Sequence, residues 1–149
     1  MDILRRNTDY ALRLAVNLAK HYGGELLSTR HLAEAEDVSY QLACKLMQKL
    51  HGAGIVESNM GPKGGFRLSR APEEVPILAV IEAIQGPLRL NRCLLSDGVC
   101  ERQDSCPVRE KMGQLQKQMD GYLTEVTLGE LARTRKRASK PTKRRGRRT

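Results

Sequence analysis

Three of the four cysteines in this 149-residue chain fall within fourteen residues of one another. Cys93 and Cys100 are separated by six residues, and Cys100 and Cys106 by five. Thiolates gathered on one loop are the ligands that a soft metal centre prefers. No fourth cysteine and no histidine lies nearby in the sequence. The spacing therefore predicts a metal site whose last ligand position is either open or supplied from elsewhere.

The net charge of +9 is concentrated at one end of the chain. Residues 133–149 hold ten Lys or Arg and no acidic residue, whereas the other 132 residues carry 16 basic and 17 acidic side chains. We interpret 133–149 as a disordered basic tail, which either aids solubility or contacts nucleic acid nonspecifically. No secretory signal and no membrane-spanning apolar segment is recognisable, so we expect a cytoplasmic protein without a membrane partner.

The first half of the chain predicts three helices. Apolar residues at helical spacing predict the first helix over 7–21. Two short helices follow, and each is preceded by a serine suited to cap its N-terminus, Ser28 and Ser39. A tight turn at 36–38 separates them, which is typical of a helix-turn-helix, although an ordinary helical hairpin has the same pattern.

The second short helix has the composition of a DNA-recognition helix. At 100° per residue its apolar residues share one arc, and the opposite arc is polar and contains no acid. The arc predicted to face the core comprises Leu42, Ala43, Leu46, Leu50 and Ala53. The candidate DNA-binding residues, with Cys44 expected to be exposed, are Ser28, Ser39, Tyr40, Gln41, Cys44, Lys45 and Gln48.

A β-hairpin predicted directly after that helix is typical of a wing. Two short apolar strands within 55–68 are joined by a turn rich in Gly and Pro. Lys63 at the tip of this hairpin and Arg67 on its flank could contact phosphate or the minor groove. Residues 1–75 are therefore predicted to form a winged helix-turn-helix DNA-binding domain.

Residues 76–132 are predicted to form an effector and dimerisation region. A core helix over 76–85 precedes the cysteine loop at 93–106, and Pro107 suits the first position of a long helix over 107–126. Apolar residues on the long helix alternate at four- and three-residue spacing, which favours self-association over packing on its own domain. These predicted dimer-interface residues are Val108, Met112, Leu115, Met119, Tyr122 and Val126.

The order of these features resembles the Rrf family of bacterial winged-helix transcriptional regulators, which includes IscR-, NsrR- and RirA-like iron–sulfur sensors. The resemblance covers residues 1 to about 132, and the matching stretches are 8–13, 53–56, 61–66, 84–88, the three cysteines with Pro107, and 126–128. It implies a mostly α-helical fold with a small β-hairpin wing and a long C-terminal dimerisation helix. It also implies a homodimer, an iron–sulfur cluster (2Fe–2S or 4Fe–4S) on the three cysteines, and binding of double-stranded operator DNA that changes with cluster state.

The resemblance leaves the fourth cluster ligand open. One branch of the family has a His three residues after the last cysteine, where this chain has Arg109. Another branch uses an Asp near the N-terminus of the partner subunit, and the matching residue here is Asp9. Otherwise Asp9 could cap the first helix or pair with Arg13. Relatives often carry an acidic residue at the position of Cys44 and an Arg at that of Met60, so a different or weaker operator contact is expected.

The sequence thus predicts a transcriptional regulator, with repression as the expected mode, whose DNA binding is controlled by an iron–sulfur cluster sensing nitric oxide, redox or iron status. The alternative is a cluster-free or zinc-bound regulator of the same family that responds to a thiol or metabolite signal. RNA binding through the basic tail is a further alternative. No nucleophile–base pair, phosphate-binding loop or paired carboxylates can be recognised, so an enzyme is not predicted.

Overall fold

The computed structural model describes residues 2–133, which form six α-helices and one two-stranded antiparallel hairpin. The elements are α1 (Arg6–Lys20), α2 (Thr29–Glu36), α3 (Tyr40–Gly52), β1 (Val56–Asn59), β2 (Gly65–Leu68), α4 (Ile77–Gln85), α5 (Pro107–Glu125) and α6 (Leu128–Arg133). Two short 3-10 helices lie at Pro72–Glu74 and Arg92–Leu94. The predicted fold class, mostly α with a small β-hairpin wing, is confirmed. Apart from Arg133, the predicted basic tail lies outside the described residues.

Two serine caps and a left-handed residue shape the helix-turn-helix. The Ser28 hydroxyl accepts a hydrogen bond from the backbone N–H of His31 at 3.1 Å, and the Ser39 hydroxyl accepts one from Leu42 at 3.3 Å. Each serine thus satisfies one backbone donor that the first turn of its helix leaves free. Between the two helices, Asp37 has a φ of 53°, a conformation that Asp tolerates better than most residues. This turn separates α2 from α3.

One hydrophobic core joins the helix-turn-helix to elements from the second half of the chain. Leu14 of α1, Leu50 of α3, Val80 of α4 and Leu128 of α6 are each fully buried, and they belong to the same cluster of packed side chains. Their burial supplies the main stabilisation of the domain, roughly 1.5–3 kcal/mol for each large apolar side chain. Elements on both sides of position 75 therefore share this core.

The chain returns to the core after α5 through backbone hydrogen bonds. The N–H of Ile77 donates to the carbonyl of Val126 at 2.9 Å, and the N–H of Leu128 donates to the carbonyl of Val75 at 2.9 Å. Val126 itself has extended backbone and caps the end of α5. The first bond joins the two ends of the segment 77–126 to each other, and the second ties the chain after α5 to Val75, which is fully buried.

The angular map of α3 is correct for most positions and wrong at its end. Ala43, Leu46 and Leu50 are buried as predicted, but Ala53 is exposed because the helix ends at Gly52. Met47 is fully buried although it was not assigned to the core. Met47 lies one helical turn from Ala43 and from Leu50, so it widens the same apolar face.

The wing is anchored to the segment that precedes α2. The N–H of Leu27 donates to the carbonyl of Phe66 at 3.0 Å, and the N–H of Phe66 donates back to Leu27 at 2.8 Å. A Cβ atom built on Gly65 would lie 2.5 Å from the Leu27 carbonyl oxygen, so only glycine allows this approach. The wing therefore holds a fixed position beside the N-terminus of α2.

Most of α5 lies on the surface of the chain. Among its residues Gln116 alone is buried. Its side chain makes hydrogen bonds to backbone groups of the segment that follows α4. Its apolar side chains are exposed or half-buried, which leaves one face of the helix available. None of the helices in the described part of the chain has the length and apolar content needed to cross a membrane.

Candidate functional site

The outer face of α3 presents polar side chains to solvent. Tyr40, Gln41, Lys45 and Gln48 are exposed, as predicted, and no acidic residue occurs in this helix. The prediction that Cys44 is exposed is wrong, because its side chain is half-buried. Tyr40 lies one helical turn before Cys44 and its hydroxyl contacts the thiol, which accounts for part of that burial.

Tyr40 is held in place from two sides. Its hydrogen bond with Cys44, followed by the charge interaction with that thiol, raises the pKa of the Tyr40 hydroxyl, while the nearby Arg30 acts in the opposite direction. The Arg30 guanidinium carbon lies 5.1 Å from the centre of the Tyr40 ring, within cation–π range. The Tyr40 hydroxyl therefore holds its proton in the contact with Cys44, and it can donate to a base or a phosphate only by exchanging that partner. Arg30 is not among the residues predicted from the sequence, where its only signal is its place in the first turn of α2.

A groove of ≈ 460 Å³ separates the wing from the starts of α2 and α3. Its lining includes Ser28, Arg30, Tyr40, Met60 and Phe66. Backbone N–H groups at a helix start and a nearby guanidinium are suited to a phosphate of the DNA backbone. The wing, α2 and α3, the three elements with which a winged helix contacts DNA, thus all line this groove.

The two predicted wing cations differ in their surroundings. Lys63 is exposed in the turn between the strands. Arg67 stands directly opposite Glu57 in the hairpin and forms an ion pair with it. Because Glu57 neutralises part of this charge, Arg67 can contact a phosphate only in competition with Glu57. Lys63 is therefore the stronger candidate for a DNA contact in the wing.

The three clustered cysteines occupy different environments on the loop. Cys93 lies in the 3-10 helix at the start of the loop and Cys106 directly precedes α5, where its side chain makes no capping hydrogen bond. Both are half-buried, whereas Cys100 is exposed. All are free thiols, so their donor chemistry fits an iron–sulfur cluster. Within residues 2–133, however, no three Cys, His, Asp or Glu side chains converge as metal ligands do.

Polar side chains organise this loop. The Arg109 guanidinium donates to the Cys93 carbonyl at 3.3 Å and to the Asp97 carboxylate at 2.9 Å. The N–H of Gly98 donates to the side-chain oxygen of Gln103 at 2.7 Å. These contacts tie the first half of the loop to its second half and to α5.

Asp9, the predicted fourth ligand, is exposed in the first turn of α1. The alternative of an ion pair between Asp9 and Arg13 is wrong, since Arg13 instead contacts Glu36 at 3.5 Å. The turn that carries Asp9 is tied to the end of α4, because the Thr8 hydroxyl donates to the side-chain oxygen of Gln85 at 2.7 Å. Asp9 is therefore exposed on a turn whose preceding residue is hydrogen-bonded to α4.

The apolar seam predicted for the dimer is accessible in this chain. Val108, Leu115 and Tyr122 are 59%, 46% and 67% exposed. Met112 and Met119 are half-buried, as is Val126, which lies just beyond the helix. Exposed apolar side chains at alternating spacing on one helix are typical of an interaction surface.

A helix-turn-helix with an acid-free outer face, followed by an anchored wing, defines a winged-helix DNA-binding protein. Residues 4–134 match the family model Rrf2, described as an iron-dependent transcriptional regulator. The chain belongs to the Rrf2 family of transcriptional regulators, which confirms the predicted family.

Individual relatives agree with this assignment. The chain is 32% identical over 117 residues to the HTH-type transcriptional regulator NsrR of Halalkalibacterium halodurans, covering 78% of each protein. It is 28% identical over 122 residues to the HTH-type transcriptional regulator IscR of Serratia proteamaculans, covering 82% of this chain and 74% of that one. The fold is similar to that of CymR, the global cysteine regulator of B. subtilis, with a TM-score of 0.74, 24% identity and coverage of 89% and 97%.

Proposed function

We propose that this protein is a homodimeric repressor that binds a two-fold symmetric operator and responds to an iron–sulfur cluster held by its cysteine loop. The observation that carries the DNA-binding part is the outer face of α3, which presents Tyr40, Gln41, Lys45 and Gln48 without an acidic neighbour. Amide and lysine side chains can read base edges in the major groove, and Tyr40 can donate to a phosphate or a base. Ser28, Ser39 and Lys63 would fix the register through the DNA backbone.

The proposed dimer forms through α5. Two copies of its apolar face would cover side chains such as Leu115 and Tyr122, which are exposed in the single chain. A symmetric pair presents two copies of α3, and the distance between them selects operators with a matching half-site spacing. Anything that moves α5 relative to the DNA-binding domain would change that distance.

The proposed effector site comprises Cys93, Cys100 and Cys106, with Asp9 of the partner subunit as the candidate fourth ligand. When bound, the cluster would supply an iron centre that reacts with nitric oxide or oxidants and reports iron supply. The support from this chain is its set of three free thiols on one loop and the exposed Asp9 in the first turn of α1. The description of the family as iron-dependent points in the same direction.

The cysteine loop is well placed to influence α5. It begins at the 3-10 helix that follows α4 and ends at Cys106, the residue that directly precedes α5. A change in the loop would therefore act on the start of the dimer helix while Val126 holds its other end to the core. This arrangement allows a local change at the cysteines to tilt α5 and alter the separation of the two α3 helices.

The decisive test is iron and acid-labile sulfide analysis of protein purified without oxygen, together with its visible spectrum. The proposal predicts a coloured protein with about one cluster per chain, lost in Cys100→Ser and retained in Cys44→Ser, which serves as a matched control. Operator affinity should differ between the cluster-loaded and cluster-free protein at a fixed salt concentration. Equal affinity of the two forms would overturn control by the cluster.

The alternative is a cluster-free or zinc-bound regulator that responds to a thiol or metabolite signal. Its cluster-free form agrees with one observation, the lack of three converging ligand side chains within residues 2–133, which a zinc site would also need. Colourless protein that contains zinc, or protein without iron and sulfide after reconstitution, would support this alternative and exclude the iron–sulfur proposal. Binding of a symmetric operator would still test the DNA-binding part, with Lys45→Ala weakening it and Lys20→Ala on α1 as the control.

A further inference from the structure

We infer that Arg109 is a latch that holds the cysteine loop against α5, and that ligation of a metal by Cys93 and Cys100 requires this latch to open. The inference deepens the proposed function, since it rests on the role of this loop as the effector site. Arg109 belongs to the first turn of α5, three residues after Cys106. Side chains in the first turn of a helix point back over the preceding segment, which here is the cysteine loop.

The Arg109 guanidinium contacts two separate points of the loop. Its Nε donates to the backbone carbonyl of Cys93 at 3.3 Å, and its Nη2 donates to the Asp97 carboxylate at 2.9 Å. The planar guanidinium fork allows both bonds at once, which the single ammonium group of a lysine cannot reproduce in the same geometry. One side chain therefore fixes the start and the middle of the loop relative to α5.

The burial of the partners indicates how strong the latch is. The Arg109 side chain is 27% exposed, whereas that of Asp97 is 91% exposed. An ion pair with such an exposed carboxylate is weak and sensitive to salt, but the bond to the Cys93 carbonyl does not depend on a second charge. The latch is thus strong enough to favour one loop conformation and weak enough to be opened by ligand binding.

The latched conformation does not gather the thiols. Among residues 2–133 no three ligand side chains converge, although Arg109 and the Gly98–Gln103 hydrogen bond hold the loop in a definite shape. Bringing Cys93 and Cys100 onto one centre means rearranging the six residues between them, and Asp97 is one of these. Latching and metal ligation therefore compete for the same segment, and each biases a two-state loop in its own direction.

The protein contains a cavity into which the loop can move when the Arg109–Asp97 pair opens. A cavity of ≈ 750 Å³ lies between the loop and α5, and both Cys106 and Arg109 line it. Opposite the loop stands Gly113, where even an added Cβ would come no closer than 3.9 Å to Leu94. Release of Asp97 would let the loop shift toward this cavity without displacing a packed side chain of α5.

The test measures thiol alkylation in chelator-treated protein, with each cysteine followed separately by peptide mass spectrometry. Asp97→Asn breaks the ion pair and keeps the Arg109 charge near the thiols, but it also removes a negative charge, which by itself speeds thiol alkylation. Asp104→Asn makes the same charge change in the same loop and is its matched control. Asp97→Asn and Arg109→Ala should each raise the alkylation rate of Cys93 by about three- to tenfold, the effect expected for loss of a partly exposed, charge-assisted contact. Arg109→Lys should fall between the wild type and Arg109→Ala.

Three controls separate the latch from charge effects and from general unfolding. Arg102→Ala removes the same charge as Arg109→Ala from the same loop without touching Asp97, so the Cys93 rate should not increase in this variant. Asp104→Asn should raise the Cys93 rate less than Asp97→Asn does, and equal increases would overturn the latch. Cys44 lies on α3, so its rate should remain constant in every variant. Added salt should raise the wild-type rate of Cys93 but leave that of Asp97→Asn unchanged.

The latch would be overturned by equal Cys93 rates in the wild type and Asp97→Asn, or by a slower rate in Arg109→Ala with no increase in Asp97→Asn. The second result would show that Arg109 acts on the thiols only through its charge. Titration with Zn²⁺ against a chromogenic chelator provides a further readout, in which Asp97→Asn should bind the metal more tightly than the wild type. Because alkylation is measured without iron, failure of cluster formation would overturn the proposed function and leave the latch standing.

Discussion

The buried side chain of Gln116 in α5 hydrogen-bonds the backbone of Leu88, the residue that begins the approach to the cysteine loop. Its Nε2 donates to the Leu88 carbonyl at 2.8 Å, and its Oε1 accepts from the N–H of Leu90 at 2.9 Å. Asp120 accepts a further bond from the same Nε2 at 2.8 Å. The segment that precedes the loop is therefore hydrogen-bonded to α5, which follows it. A conformational change in the loop must be absorbed within the loop or transmitted through α5.

Replacing Gln116 by Ala should destabilise the protein by about 1–3 kcal/mol, because the Leu90 N–H loses its partner at a site with little access to water. The Leu88 carbonyl loses one of two donors and keeps the Arg89 guanidinium at 2.9 Å. The measurement is the free energy of unfolding from urea denaturation. Gln118→Ala is the matched control, since Gln118 is exposed on the same helix and its loss should change stability by less than about 0.5 kcal/mol. Equal effects of the two variants would show that the hydrogen bonds of Gln116 do not stabilise the protein.

Replacing Gly65 by Ala should displace the wing and weaken operator binding. The added Cβ would lie 2.5 Å from the Leu27 carbonyl oxygen, so either the bridge to Phe66 opens or the hairpin shifts. A cost of about 1–3 kcal/mol in stability is expected for such overpacking. Gly52→Ala is the control because a Cβ there meets nothing within 4 Å. Unfolding and operator titrations of both variants, at the same salt concentration, check this outcome.

The wing charges should contribute unequally to DNA binding. Lys63→Ala should weaken binding to all sequences and reduce the slope of log affinity against log salt by about 0.9, the value for one lost phosphate contact. Glu57→Gln should strengthen binding, because it releases Arg67 from its ion pair. Titrations of duplex DNA across a salt series test both. No gain from Glu57→Gln would mean that Arg67 does not reach the DNA.

Residue types and their local spacing predicted the local structure. They could not predict contacts between residues that are distant in the sequence. The caps at Ser28 and Ser39 follow from residue type and position alone, so both were predicted. Gln116 looks like a solvated residue on a helix, because its burial depends on Leu88, which is 28 residues away. The contact of Arg109 with Asp97 likewise depends on how the loop folds back onto α5. The cysteines could be recognised as ligands by type, but their arrangement could not be read from spacing.

Introducing a charge into the exposed seam of α5 should convert the proposed dimer to a monomer. Leu115→Asp would require burial of a carboxylate at the interface, whereas Thr124→Asp adds the same charge to an exposed position on the opposite face of α5. Light scattering after size exclusion should report half the mass for Leu115→Asp alone. Its affinity for a palindromic operator should fall, while its binding to an isolated half-site should be retained. A dimeric Leu115→Asp variant would exclude the proposed seam.

Deleting residues 134–149 should leave sequence-specific operator binding in place and make it less sensitive to salt. The deletion removes nine Lys or Arg and no acidic residue, so the slope of log affinity against log salt can fall by at most about 8 per chain. Discrimination between operator and random duplex should rise, because the lost contacts carry no base information. Competition titrations with operator, random duplex and single-stranded RNA separate the alternatives. If the deletion abolished only RNA binding and left the salt slope on duplex DNA unchanged, the basic residues would serve an RNA ligand instead of the operator flanks.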